Sequence, residues 1–351
     1  MSYPDFSEFS GLFLSLREEL QSRLPEYRAY EYLLAVSGGA DSLFLSYFFI
    51  WLRKRDSVAI RLLHFNHHLR PQQDEREAQY LRNFAKEWQI PYEEAEADIS
   101  QLAERNKCGI EEMARCSRHN FFREICQKQA ALNPQRKSFI TLGHNADDLL
   151  ETILLNLARG SGLRGLSAMP YSDEDYLRPI LGLRGEAIRS FMRERELPYF
   201  VDSSNQSPIY LRNRLRNELI PLWQEILAYD PAASIYRMSQ SLNEENTYLE
   251  ELSCKALEEV EISTGELNLK RLCKLPKALH YRILDLAISS FRESTKESSL
   301  DINKENALSY KQYQMIQQQI SKLPCEAEIH LANNLVLTIK AWKAYISEKS
   351  K

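Results

Sequence analysis

The chain has 351 residues, 44% of them hydrophobic and 27% charged, the make-up of a globular protein with room for two domains. Its formal net charge of −4 excludes a surface that is basic throughout, so any contact with a polyanion has to be local. Cysteines 108, 116, 126, 254, 273 and 325 form no C-x-x-C pair, which argues against a zinc ribbon, a redox pair or a disulfide framework and points to a reducing cytoplasm. The first residues lack the basic stretch of a signal peptide, and the longest apolar run, around Leu43 to Leu52, is about half of what a bilayer requires.

In chain order, Phe9, Phe13, Leu16, Leu20 and Leu24 recur at helical spacing, so residues 1–28 read as an amphipathic helix. Tyr32 to Val36 is a short apolar strand that runs into Ser37-Gly38-Gly39, and Leu43 to Leu52 is the helix after it. The alternation continues with a strand over Val58 to Phe65, a helix over Asp74 to Trp88 and a strand over Pro91 to Ala97. A helix over Ile110 to Ala131, a strand over Ser138 to Leu142 and a helix over Asp147 to Ala158 follow. Such alternation predicts an α/β domain over 29–229, with a parallel sheet flanked by helices and ligands beyond the carboxyl ends of the strands. After Asp230 the texture becomes mostly helical over Ile235 to Val260, Leu267 to Phe291 and Ser309 to Ile320. Ser289 to Asn306 is polar enough for a loop, and Ala327 to Trp342 reads as a hairpin around Asn333-Asn334. A boundary near Asp230 therefore sets off a second domain over 230–351.

The segment Ser37-Gly38-Gly39-Ala40-Asp41-Ser42 joins a strand to a helix. Glycines permit a tight turn with exposed N–H groups, and a helix N-terminus adds its positive dipole end, so the segment suits a phosphate. It has no Walker lysine, which argues against γ-phosphate transfer. A carboxylate at Asp41 beside phosphates makes sense when Mg²⁺ bridges them; the plain alternative is that Ser42 or Asp41 caps the helix. Three histidines cluster in His64-Phe65-Asn66-His67-His68-Leu69-Arg70, without a Cys or carboxylate at metal-ligand spacing. Arg115 and Arg118, three apart on a helix, suit a phosphate or are two surface arginines. In Leu142-Gly143-His144-Asn145-Ala146-Asp147-Asp148, Asn145 can cap the next helix with Asp148 at its third position. Asp147, Asp148 and Glu151 are either an ordinary helix start or a site for a cation, Mg²⁺ or a substrate ammonium. Arginines at 178, 184, 189, 193, 195, 212, 214 and 216 outnumber the intervening acids and form either an RNA-facing surface or a solvated, ion-paired one.

Together these segments resemble the N-type ATP-pyrophosphatases of the PP-loop superfamily, and within it the lysidine synthetases. The likeness rests on S-G-G-x-D-S at 37–42, H-x-N-H-x-L-R at 64–70, A-R-x-x-R at 114–118 and the G-H-N-A-D-D-x-x-E-T run at 143–152. Arg159-Gly160-Ser161-Gly162, Arg178-Pro179-Ile180-Leu181, Asp202 to Asn205 and the run from Arg212-Asn213 to Pro221 complete it. One departure is His144-Asn145, where many members carry His-His.

The resemblance implies a parallel five-stranded, adenine nucleotide α-hydrolase-like sheet and a C-terminal domain that contacts tRNA. It implies ATP with Mg²⁺ on Asp41, and an ATP or pyrophosphate site of Ser37, Gly38, Gly39, Ala40, Asp41, Ser42, His64, Asn66, Gly143 and His144. Asp41, Arg115, Arg118 and Asp148 become catalytic candidates, Asp148 and Glu151 a site for free L-lysine, and Arg70, Arg159, Arg178, Arg212 and Arg214 contacts to an isoleucine tRNA with a CAU anticodon. The implied reaction is a C–N ligation in the cytoplasm; the oligomeric state is open, a homodimer included. A tRNA thiolase of the same superfamily and a non-catalytic RNA-binding protein with an ATP fold are the rival readings.

Overall fold

The computed structural model describes residues 10–201, 211–295, 308–332 and 334–349. The chain forms two compact units, Met1–Asn243 and Glu244–Lys351. The division falls inside one long helix, 13 residues beyond the expected boundary at Asp230.

The first unit opens with α1 (Ser10–Arg23), then β1 (Glu31–Ala35), α2 (Ala40–Asp56), β2 (Ala59–Asn66), α3 (Pro71–Glu87) and β3 (Tyr92–Glu96). Next come α4 (Ile99–Asn106), α5 (Ile110–Leu132), β4 (Ser138–Thr141), α6 (Ala146–Ala158), α7 (Leu163–Leu166), β5 (Tyr176–Leu177) and α8 (Gly185–Glu194). The unit ends with α9 (Leu211–Arg214), a π-helical turn over Leu215–Leu219, α10 (Ile220–Leu227) and the start of α11 (Ala232–Val260). The five strands lie in the order β3-β2-β1-β4-β5, every pair parallel. The expected five-stranded sheet is present; its edge strand β5 has two residues, too short to register as a period-2 pattern.

Central β1 is apolar because both its faces are covered. Tyr32 and Leu34 point into the larger core with Phe13, Phe44, Phe48 and Phe49, whereas Leu33 points into a second core with Leu63, Phe122 and Ile140. Helix α2 is buried from Ser42 through Leu52, which explains its nearly continuous apolar sequence. Helix α1 belongs to this core: Phe13 stacks on Phe191 at 5.3 Å and meets Phe44, Phe48 and Trp51 edge-on. Truncating it to alanine removes about 3–5 kcal/mol of packing.

In the second unit the remainder of α11 leads to β6 (Glu261–Ser263), β7 (Glu266–Asn268), α12 (Leu269–Leu272), α13 (Lys277–Thr295), α14 (Tyr310–Ile320), β8 (Cys325–His330), β9 (Leu335–Ala341) and β10 (Lys343–Glu348). The expected hairpin exists as β8–β9, and it belongs to an antiparallel sheet of order β6-β7-β10-β9-β8. The continuous helix expected over Leu267 to Phe291 is divided: Leu267 is a strand residue paired with Ala344, and α13 starts only after Pro276. Proline has no N–H to extend a helix through that point. Of the loop expected over Ser289 to Asn306, residues 289–295 are helical, since α13 continues to Thr295; residues 296–307 lie outside the described residues.

Candidate active site

Parallel order reverses at β1, with β2 on one side and β4 on the other. Connections leave such a pair in opposite directions, so a crevice opens beyond their carboxyl ends. Ser37–Ser42 follows β1 and Gly143–Asn145 follows β4. A Cβ built on Gly143 would stand 3.2 Å from Asp41 C and Ser42 N, so only glycine lets the two loops come this close. Gly38 has φ +79°, and a Cβ there would lie 3.2 Å from Phe200 Cδ2. Phe200 also donates its N–H to Gly38 O at 2.9 Å. Ser42 Oγ donates to Gly39 O at 3.0 Å and accepts from Ser37 N at 3.2 Å. The hydroxyl thus closes the loop rather than capping the helix. Gly39 is the N-cap of α2 and supplies no side-chain bond, which leaves the first-turn N–H groups directed at the crevice.

Four buried atoms at this rim have no hydrogen-bond partner among the described residues: Asp41 Oδ1, His64 Nε2, His67 Nδ1 and His144 Nδ1. An unpartnered buried polar atom costs about 1–3 kcal/mol, and such atoms gathered from β2 and the loops after β1 and β4 mark where a polar ligand belongs. His64 Nδ1 faces Val36 O at 2.9 Å, so it carries the proton and Nε2 presents a lone pair. Burial, reinforced by neighbouring Asp148, raises the Asp41 carboxyl to about 6, against the Asn145 amide and the charges of Arg189 and Arg216. Burial depresses His67 and His119 to about 4, with Arg118 the next cause, and His144 to about 3, with Arg178 and Arg118 contributing. All three imidazoles are therefore neutral at pH 7.

The acids that open α6 have protein partners. Asn145 Oδ1 accepts from Asp147 N and Asp148 N at 2.9 and 3.1 Å, and Asp148 Oδ2 accepts from Asn145 N at 3.1 Å. This is the expected capping box. Asp147 is held by Arg184 Nε at 2.6 Å and by Gly185 N at 2.9 Å. Glu151, 1% exposed, pairs with Arg216 Nε at 2.6 Å, and the same guanidinium reaches Asp148 Oδ1 at 3.4 Å. Burial still raises both Asp148 and Glu151, so Arg216 offsets their desolvation only in part.

Residues 14–223 match the family model of the PP-loop domain. The chain belongs to the PP-loop family. It is 32% identical over 263 residues to a tRNA(Ile)-lysidine synthase from Clostridium tetani, covering 74% of this chain and 55% of that one. It is 37% identical over 240 residues to the bifunctional protein TilS/HprT of Listeria innocua, covering 67% and 36% respectively. A solved U34-tRNA thiolase from Methanococcus maripaludis is 14% identical at a TM-score of 0.48, over 66% of this chain and 80% of that one. This PP-loop chain thus spans about half the length of the first curated relative it matches.

The remaining expected residues of the PP-loop site separate into three groups. Arg118 is half-buried and Arg115 exposed, so the pair does not present one uniform face; Arg118 is the member whose charge reaches His67, His119 and His144. Asn66 is 3% exposed and accepts from His68 N at 3.0 Å, shaping the turn after β2. Arg70 pairs with Asp74 and Glu77. Arg178, expected to face RNA, is 9% exposed and donates to Pro170 O at 2.8 Å and Asp173 at 3.1 Å; those partners hold it in the turn before β5. Arg159, Arg212 and Arg214 are exposed, with Arg212 on Thr152 Oγ1 and Arg214 on Glu218. The motif at Asp202 to Asn205 lies outside the described residues. Phe200 and the pairing of Arg216 with Glu151 emerge only from the fold. Arg216 had a signal, its place in the matched run at 212–221; Phe200 had none.

Among the described residues no His, Cys, Asp and Glu group forms a ready-made metal cage, and no helix is long and apolar enough to cross a membrane. Mg²⁺ commonly takes one or two carboxylates and completes its shell with phosphate and water. Asp41, with one carboxylate oxygen unpartnered among the described residues, fits that demand.

Proposed function

We propose that the chain ligates free lysine to C2 of the wobble cytidine of an isoleucine tRNA with a CAU anticodon, with ATP converted to AMP and pyrophosphate. The observation that carries the reading is the crevice where Asp41, His64, His67 and His144 present unpartnered buried atoms beside an uncapped helix start. The likeness to lysidine synthases supplies the substrates. The C2 oxygen of cytosine leaves poorly, and transfer of AMP to it makes it a good leaving group. The N–H groups at the start of α2 take the β- and γ-phosphates, and Arg118, with Arg115 at its exposed edge, faces the α-phosphate. Asp41 would hold Mg²⁺, which would neutralise phosphate charge. His144 stays neutral, so its ring nitrogen can bond the nucleotide without adding charge, and His64 Nε2 faces the same crevice without a partner among the described residues.

Asp148 and Glu151 orient the ε-amine of lysine. Arg216 now bridges the two, so the substrate ammonium shares or takes over its place. The ammonium gives up a proton to a carboxylate of the site, the free amine bonds to C2, and the C2–O bond breaks as AMP departs with that oxygen; positioning and charge neutralisation supply most of the rate. Exposed Arg159, Arg212 and Arg214 face the tRNA backbone, in a cytoplasmic setting. The test is incubation with ATP, Mg²⁺, labelled lysine and a CAU-anticodon transcript. Label is expected in the tRNA only with ATP and the wobble cytidine present. Folded, ATP-binding protein that incorporates none would overturn the reading in favour of sulfur transfer.

A further inference from the structure

The phosphate loop carries no cation of its own. Its one charged side chain, Asp41, has the sign of the ligand, so a positive group from elsewhere has to face the leaving pyrophosphate. Two arginines act electrostatically on Asp41, Arg189 before Arg216. Arg216 is engaged at the Asp148–Glu151 end of the rim, where its partner Glu151 is almost fully buried. Arg189 is held by a weaker partner: it pairs at 3.1 Å with Glu186 in its own helix, and the two side chains are 43% and 61% exposed. A solvated pair of this kind is readily exchanged.

Arg189 is also placed for the task. Helix α8 starts at the rim, and a Cβ built on Gly185 would stand 3.1 Å from Arg189 Nη1, 3.2 Å from Asn145 Nδ2 and 2.9 Å from Asp147 Oδ2. The guanidinium therefore shares a corner with the Asn145 amide beside Asp41, in space that the missing Gly185 side chain leaves free. After α8 the chain returns to the phosphate loop, where Phe200 N binds Gly38 O.

We propose that Arg189 is the pyrophosphate cation of this site: it exchanges Glu186 for the β- and γ-phosphate oxygens of ATP and retains pyrophosphate after AMP has been transferred. This rests on the PP-loop reading of the crevice and not on the identity of the nucleophile. Its planar fork can bind two phosphate oxygens at once, which lysine cannot copy fully. Calorimetry with inorganic pyrophosphate and Mg²⁺, and separately with AMP, tests the assignment without tRNA or lysine. Arg189→Ala is expected to weaken pyrophosphate about ten- to hundredfold and to leave AMP unchanged. Arg189→Lys is expected to recover part of the loss, and Glu186→Gln to bind pyrophosphate as tightly as the native chain or more so. Native affinity for pyrophosphate in Arg189→Ala, or an equal loss of AMP binding, would overturn the proposal. A native chain that binds neither ligand would instead overturn the ATP-site reading beneath it.

Discussion

Half-buried Asp41 and the pair of half-buried Asp148 and buried Glu151 lie on the same rim, and desolvation raises all three above the usual carboxylate range. They differ in what faces them. Asp148 and Glu151 share Arg216, and Asp148 closes a capping box as well. Asp41 Oδ1 faces no partner among the described residues. The protein has thus given one acidic site a contacting guanidinium, which offsets it in part, and left an oxygen of the other for what it binds. Desolvated carboxylates alone do not locate a ligand; one whose buried oxygen has no hydrogen-bond partner among the described residues does so more sharply.

The contrast can be broken most severely at Asp41. Asp41→Asn is expected to lower AMP formation by at least about a thousandfold while the protein melts at the same temperature or higher. The sign follows from the raised value of about 6: between about pH 4 and 6 the folded state holds a proton that the unfolded state has released. Stability therefore falls as pH rises through that window, and the neutral amide removes the slope. A markedly lower Tm for Asp41→Asn would mean that the carboxylate is structural. Arg216→Ala should act in the opposite sense, leaving Asp148 and Glu151 unopposed and costing about 1–3 kcal/mol after allowance for the exposed part of the pair. Denaturant titration reads this, and Glu151→Gln in the same chain should restore part of the loss. A smaller effect, about 1–2 kcal/mol, is expected for Gly143→Ala, whose new Cβ would press on the backbone of Asp41 and Ser42; phosphate binding should suffer more than stability. A separate test reads the titration of His67, His119 and His144. Each is depressed, so each contributes stability that is present above about pH 6.5 and is lost as pH falls toward 4 for His67 and His119 and toward 3 for His144. Arg118→Gln should move all three upward in NMR titrations, and unmoved values would remove Arg118 from the rim.

The sheet was readable because β1, β2 and β4 are short apolar runs, each followed by a polar segment and a helix. The phosphate loop was readable for the same reason: Gly38, Gly39 and Asp41 sit where a strand turns into a helix. Long-range pairing was not. Arg216 stands 65 residues beyond Glu151, and no local pattern joins a π-helical turn to the start of α6. Arg178 read as one of a row of surface arginines, yet Asp173 and the Pro170 carbonyl draw it inside. The second unit was half readable: strands of three residues such as β6 and β7 are too short to show alternation, and Leu267 looked like the start of a helix because its register partner Ala344 is 77 residues away.

The central claim is that this site activates the nucleic acid and not the amino acid. The most direct measurement supplies ATP labelled in its α-phosphate, with Mg²⁺ and the CAU-anticodon transcript but without lysine, and follows the label. The account predicts AMP attached to the wobble cytidine and released when lysine is added. Label that never reaches the tRNA, or that forms an adenylate on lysine alone, would contradict it.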